Sequence, residues 1–176
     1  MKQPVRKSRW RGIGAYRDEA EPLLEQDGDI AGVVRGRPRS LLMKCPDGCG
    51  DTLVINLDPR AGKAWRIDIR KEEVSLYPSV WREAGCRSHF ILWRDRILWC
   101  GQFEEDNEEP TYDTALESAV YAELDAVLYR GADDIAAHIG EISWEVARAL
   151  RYLAQAGQTV EGRGLNRNLY RRGRKG

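Results

Sequence analysis

The sequence predicts an α+β protein in which a small antiparallel β-domain precedes a helical unit. Three observations carry this expectation. Between residues 40 and 99 short apolar stretches alternate with polar residues, the period of half-buried strands. From residue 114 onward apolar residues recur at helical spacing. The run Glu104-Glu-Asp-Asn-Glu-Glu109, followed by Pro110, separates the two patterns and reads as a solvated linker.

At 176 residues with 42% apolar content, the chain is long enough for two modest cores. Twenty-eight basic residues balance twenty-eight acidic ones, so only local charge asymmetry is informative. Residues 1–12 carry five basic and no acidic residues, and residues 142–176 carry eight basic against two acidic. The N-terminal stretch lacks the apolar segment of a secretory signal, and no run has the length of a membrane span. A cytoplasmic protein with no membrane partner is expected, and its thiols should stay reduced.

Four segments follow: a basic flexible arm (1–18), a β-domain (19–103), an acidic linker (104–112) and a helical domain with a basic tail (113–176). Within the β-domain a short acidic helix is expected over 19–26, closed by Asp27-Gly28, and strands over 40–44, 52–57 and 64–69. Trp65, Ile67 and Ile69 alternate with polar neighbours in the last of these. A strand over 73–76 should stop at Pro78, leaving 79–85 as a loop. Residues 90–93 and 97–99, split by Arg94-Asp95-Arg96, read as a hairpin.

Cys45-Pro-Asp-Gly-Cys49-Gly50 and Cys86-Arg-Ser-His89 are the chemically pointed motifs. A glycine-bearing turn presenting two thiols, joined by a Cys-x-x-His pair, is how a tetrahedral zinc site is assembled from separate turns. The expected ligands are Cys45, Cys49, Cys86 and His89, with Asp47 as an alternative fourth ligand, and Cys100 is assigned to the core.

In the second unit, helices are expected over 114–129, 132–139 and 143–156, with Gly131, Gly140 and Gly157 as stops and Ser143 as an N-cap. Val146, Ala149, Leu150 and Leu153 share one face of the third. Two short strand-like pieces then flank Gly162-Arg-Gly164. Three helices followed by a basic hairpin resemble the winged helix-turn-helix family, also in Asp134-Ile-Ala-x-x-Ile139-Gly140. The resemblance implies that the third helix enters a DNA groove, with Arg148 and Arg151 reading it and Arg163, Arg167, Arg171 and Arg172 holding phosphates of double-stranded DNA. Trp144 and Glu145 near the helix start suit a protein partner instead, and both alternatives stand at this stage. His138 is taken as structural.

Pro38-Arg-Ser-Leu41, the cysteine turn, Leu76-x-Pro78-Ser79-Val80, Cys86-Arg-Ser-His89-Phe-Ile91 and Ile97-Leu-Trp99 together resemble a bacterial zinc-binding domain family found beside genes for ubiquitin-like conjugation. The likeness covers roughly residues 20–100 and implies a peptidase whose partners are a ubiquitin-like protein or conjugation enzymes. Many members carry a third cysteine where this chain has Asp47, which leaves two assignments. Either His89 completes a closed structural zinc site, or it is the general base for a serine nucleophile. Ser79 is the better nucleophile candidate, because Ser88 adjoins His89 and neighbouring side chains of an extended chain point to opposite faces.

Overall fold

Strand alternation in the first half of the chain resolves, in the computed structural model, into two four-stranded sheets that share one core. The structure describes residues 3–102 and 107–173, and the chain divides into the units Met1–Pro110 and Thr111–Gly176. In the first unit, one sheet takes β1 (Arg9–Gly14), β2 (Asp29–Val34), β3 (Pro38–Lys44) and β4 (Thr52–Asn56) in sequence order. The other takes β5 (Arg66–Arg70), β6 (Glu73–Trp81), β7 (His89–Trp93) and β8 (Arg96–Trp99) as an antiparallel meander.

Successive side chains on β3 point to opposite faces. Leu41 and Met43 accordingly join Ile30, Leu53 and Ile55 in a common core with Val74, Leu76, Val80, Phe90, Leu92, Ile97 and Trp99 of the second sheet. Leu42 lies on the outer face with Ala31 and Val33, covered by Ala20 of helix α1 (Arg17–Ala20) and by Leu24. Each such buried leucine or phenylalanine contributes about 1.5–3 kcal/mol relative to its exposed state.

Several expectations need correction. Residues 9–14, read as part of a flexible arm, form β1, which runs parallel to β2, so the domain is not purely antiparallel. The reason is local: Arg9 Nε bonds the buried Asp29 carboxylate at 2.8 Å, and the arm's backbone completes the edge of β2. The helix expected over 19–26 is shortened to α1 and a 3-10 turn, Glu21–Leu23, with Pro22 inside that turn. Strand β6 does not stop at Pro78. Between the pairs Leu76↔Leu92 and Val80↔Phe90 it advances four residues against two on β7, and this bulge accommodates a residue that has no backbone N–H to give.

In the second unit come α2 (Leu116–Glu123), β9 (Arg130–Gly131), α3 (Ala132–Ile139), α4 (Ser143–Gln155), β10 (Thr159–Glu161) and β11 (Leu169–Arg172). Its sheet has the order β10-β11-β9 and is antiparallel. Val120, Ile135, Ala136, Val146, Ala149, Leu150 and Leu153 are buried. Helix α2 ends well before the expected residue 129, because the Asp125 carboxylate takes the N–H groups of Val127 (2.5 Å) and Leu128 (2.9 Å) that a continuing helix would need. Ser143 lies inside α4, and Ile142 occupies the cap. The chain passes from α3 to α4 through Gly140, whose φ of +74° is the left-handed conformation glycine adopts without strain.

Residues 104–106 of the acidic run and Arg174 and Lys175 of the basic tail lie outside the described residues. Asn107 is pinned to β8, accepting from Trp99 N–H at 2.7 Å and donating to Trp99 O at 2.8 Å.

Candidate functional site

The cysteine turn is wound tightly by its own backbone. Cys45, one residue past β3, donates its N–H to Asp51 O at 2.8 Å, and its carbonyl accepts from Gly48 N–H at 3.2 Å. Cys86 sits on the connection between β6 and β7, which Arg82 N–H closes on Ser88 O at 2.9 Å. The two turns meet. The sulfurs of Cys45, Cys49 and Cys86 all lie within 4.8 Å of one another, with Cys45 and Cys86 separated by 3.7 Å. Thiolates around one tetrahedral zinc stand about 3.8 Å apart, given zinc–sulfur bonds of about 2.3 Å, so this spacing fits a metal-binding edge. Three cysteines placed in this way can bind a metal ion. Cys100 is not part of the cluster, and neither His89 nor Asp47 belongs to it.

The surroundings favour negative charge unevenly. Burial pushes the Cys45 thiol up to about 12, against hydrogen bonds from the Asp47 backbone and the Ser88 hydroxyl. Burial also opposes the Cys86 thiolate, but hydrogen bonds from the Ser88 side chain and backbone, with the neighbouring thiols, outweigh it and draw Cys86 down to about 7. A cation already answers the sulfurs. Arg82 Nη1 lies 3.0 Å from Cys86 Sγ and 3.3 Å from Cys49 Sγ, while Nη2 donates to Asp51 at 2.8 Å.

On the far side of the same strand pair is a second constellation. Trp81 on β6 is paired with His89 on β7, and Ser79 precedes Trp81 by two residues, on the same face by alternation. His89 Nε2 stands 3.0 Å from Ser79 Oγ. Ser88 turns the opposite way, buried against Cys86 Sγ at 3.4 Å and Cys45 Sγ at 3.7 Å. The backbone at Ser79 is held as well, since Trp65 donates its indole N–H to the Ser79 carbonyl at 3.3 Å. The exposed Trp81 ring lies 5.8 Å from the His89 ring, centroid to centroid. Among the described residues no carboxylate pairs with His89.

Residues 16–100 match BubE, the bacterial ubiquitination-like system serine protease family.

The BubE match spans just under half of the 176 residues and takes in both cysteine turns, Ser79 and His89. No curated protein and no solved structure matches the chain. The description of that family names a bacterial ubiquitination-like system, and the three-cysteine cluster is consistent with a zinc-binding N-terminal domain.

Beyond the BubE match, three of the six arginines singled out in the second unit are committed to internal contacts. Arg148 is 3% exposed, bonded to Glu145 at 3.1 Å and stacked over the Tyr112 ring at 5.0 Å, so it does not face outward from α4. Arg171 bonds Ala126 O at 2.9 Å and lies over Tyr129, while Arg172 bonds Ala122 O at 3.2 Å and lies over Tyr121. Trp144 is half-buried; Arg151, Arg163 and Arg167 are exposed. His138 is exposed, with Nδ1 3.6 Å from Glu123. Among the described residues no helix is long and apolar enough to cross a membrane.

Sequence reasoning passed over Arg82 and Trp81 because Pro78 led to a loop at these positions. The signal was present: Arg82 stands four residues before Cys86, where a cation beside a thiolate is expected to matter.

Proposed function

We propose that the first unit is a serine peptidase of a bacterial ubiquitin-like modification system, with Ser79 as nucleophile and His89 as general base. The single observation that carries this reading is the 3.0 Å contact between His89 Nε2 and Ser79 Oγ in the segment that matches the BubE family. With its proton on Nδ1, the imidazole presents a lone pair at Nε2. As Ser79 Oγ attacks the scissile carbonyl, that lone pair takes the hydroxyl proton and then returns it to the leaving amine. In the second half, water adds to the acyl-enzyme with His89 again as base, releasing the carboxylate and restoring the hydroxyl. The substrate class is a ubiquitin-like protein, as a precursor or joined to a target through its carboxyl end.

Cys45, Cys49 and Cys86 are the ligands for a zinc ion, which when bound supplies a structural cross-link between the two turns. The residues adjoining that cross-link, Trp81 through Arg82 and His89 through Ser88, are those that place the dyad. Four cysteines free of disulfides suit a reducing cytoplasmic compartment. In the second unit the order α2, β9, α3, α4, β10, β11, with β11 between β9 and β10, supports a winged helix, and its commitment of Arg148, Arg171 and Arg172 to internal contacts supports docking of a protein partner.

The test is cleavage of a ubiquitin-like precursor protein, followed with Ser79→Ala and His89→Ala. Both variants are expected to lose cleavage while retaining bound zinc. Retained cleavage in either would overturn the assignment.

A further inference from the structure

The backbone beside the nucleophile has an unpaired edge. Strand β5 pairs with β6 only as far as Arg66↔Tyr77, and the preceding residue, Trp65, turns its N–H to Asn56 O at 2.8 Å, out of the line of β5. Among the described residues, β6 from Pro78 onward therefore has a neighbour strand on the β7 side alone.

The direction of the backbone groups on this stretch follows from the ladder. Arg82 N–H bonds Ser88 O, which makes 82↔88 a hydrogen-bonded pair. Antiparallel pairs alternate, so Val80↔Phe90 is hydrogen-bonded and the intervening Trp81↔His89 is not. The His89 carbonyl agrees with this assignment, because it accepts from Cys100 N–H at 3.0 Å on its other side. Trp81 N–H and C=O must then point away from β7, into the line that β5 has left. The Ser79 carbonyl points the same way, toward Trp65.

We infer that this edge is the substrate-binding groove, and that it takes an extended peptide segment as an added strand alongside Ser79 to Trp81, held by the N–H and C=O of Trp81. The inference rests on Ser79 being the nucleophile and adds how the substrate reaches it. Strands in a sheet are spaced about 4.8 Å apart, so a peptide in this line lies next to Ser79 Oγ on the side opposite His89. Base, nucleophile and substrate then occupy three successive strand positions. The two tryptophans bound the groove: Trp65 fills the end where β5 begins, and Trp81, 63% exposed, offers an aromatic face beside His89. Recognition is through main-chain groups, so the segment bound must be extended and unfolded, as a chain tail is.

The test uses the full wild-type chain and three kinds of probe that react with serine. A small alkyl fluorophosphonate needs no peptide docking and reports on Ser79 alone. A tetra-alanyl diphenyl phosphonate, which loses phenol as Ser79 Oγ bonds to phosphorus, adds a peptide. Its twins replace one backbone N–H at a time by an ester oxygen, which removes a donor at little steric cost. The parent peptide phosphonate is expected to label Ser79, located by peptide mass mapping, about ten-fold faster than at least one ester twin, the effect of one lost hydrogen bond. Equal rates for parent and all twins, with the fluorophosphonate still labelling Ser79, would overturn strand addition and leave the peptidase reading standing. If the fluorophosphonate also fails on Ser79 while labelling a control serine peptidase, the nucleophile assignment falls and strand addition goes with it.

Discussion

His89 reaches Ser79 diagonally across two paired strands, Nε2 to Oγ at 3.0 Å, and does so because β6 carries two extra residues between Leu76 and Val80. The bulge and the Trp65 bond to the Ser79 carbonyl set the backbone at Ser79, and the Trp81↔His89 pair sets the position of His89. Replacing Ser79 by Ala is expected to lower cleavage of the ubiquitin-like precursor by about a thousand-fold or more. Thermal stability should change by less than about 0.5 kcal/mol, since Ser79 is only half-buried. Steady-state cleavage and thermal unfolding of the same preparation check both halves. A variant that cleaves normally, or one that is inactive because it has unfolded, removes the support for a catalytic Ser79.

The three cysteine sulfurs and the Ser79–His89 pair lie on opposite faces of one hairpin, so the two groups should respond differently to substitution. Native mass spectrometry of the full chain is expected to find one zinc, lost in Cys86→Ser and kept in His89→Ala. Loss of the cross-link should lower Tm by about 5–10 °C and lower cleavage too, because the connection from Trp81 to His89 is no longer clamped. Zinc loss from His89→Ala would return His89 to the ligand set and count against its role as base.

How far the sequence carried depends on the residue. Local patterns were legible: the apolar runs 90–93 and 97–99, split by Arg94-Asp95-Arg96, mark β7 and β8, and Gly140 marks the end of α3. The two cysteine turns were legible through ligand spacing, though which imidazole or carboxylate stood beside them was not. Spacing gives proximity along the chain, whereas the direction of His89 is set by strand parity relative to Ser88, and that needs the register of β6 against β7. Proline misled at residue 78, since a missing N–H ends a regular strand but is tolerated in a bulge. The basic N-terminus misled for a different reason. Its charges look unpartnered until Asp29, twenty residues past Arg9, is seen buried among them. Arg148 shows the same limit: on a helical wheel it faces away from the apolar stripe, and only the packing of Tyr112 and Glu145 around it makes it interior.

That interior position gives a third prediction. Arg148→Ala leaves the Glu145 carboxylate buried without the guanidinium that neutralises it, a change that costs about 3–5 kcal/mol. Arg163→Ala and Arg167→Ala, both at exposed positions, should stay within about 0.5 kcal/mol of wild type. Chemical denaturation of the full chain, followed through a probe in the second unit, distinguishes them. Loss of binding to any partner in Arg148→Ala would then report an unfolded unit and not a lost contact. If Arg148→Ala proves as stable as the exposed variants, the buried pair has been misjudged.

The buried Asp29 carboxylate makes a fourth prediction, about pH. Burial raises its pKa, but N–H bonds from Gln26 at 2.8 Å and Glu25 at 3.0 Å, together with Arg9 at 2.8 Å, outweigh that and hold it below the ordinary value of 3.8. Arg11, 3.7 Å away, also faces the carboxylate. A group whose folded pKa is depressed stabilises the fold above its unfolded pKa and loses that contribution as pH falls through the folded one. Asp29→Asn should therefore destabilise the first unit by about 1–3 kcal/mol at neutral pH, and the gap to wild type should narrow as pH drops below about 4. Denaturation midpoints of the two proteins across that range test it. A gap that stays constant with pH would mean that the charge on Asp29 does not hold β1 against β2, and that backbone pairing of the two strands suffices.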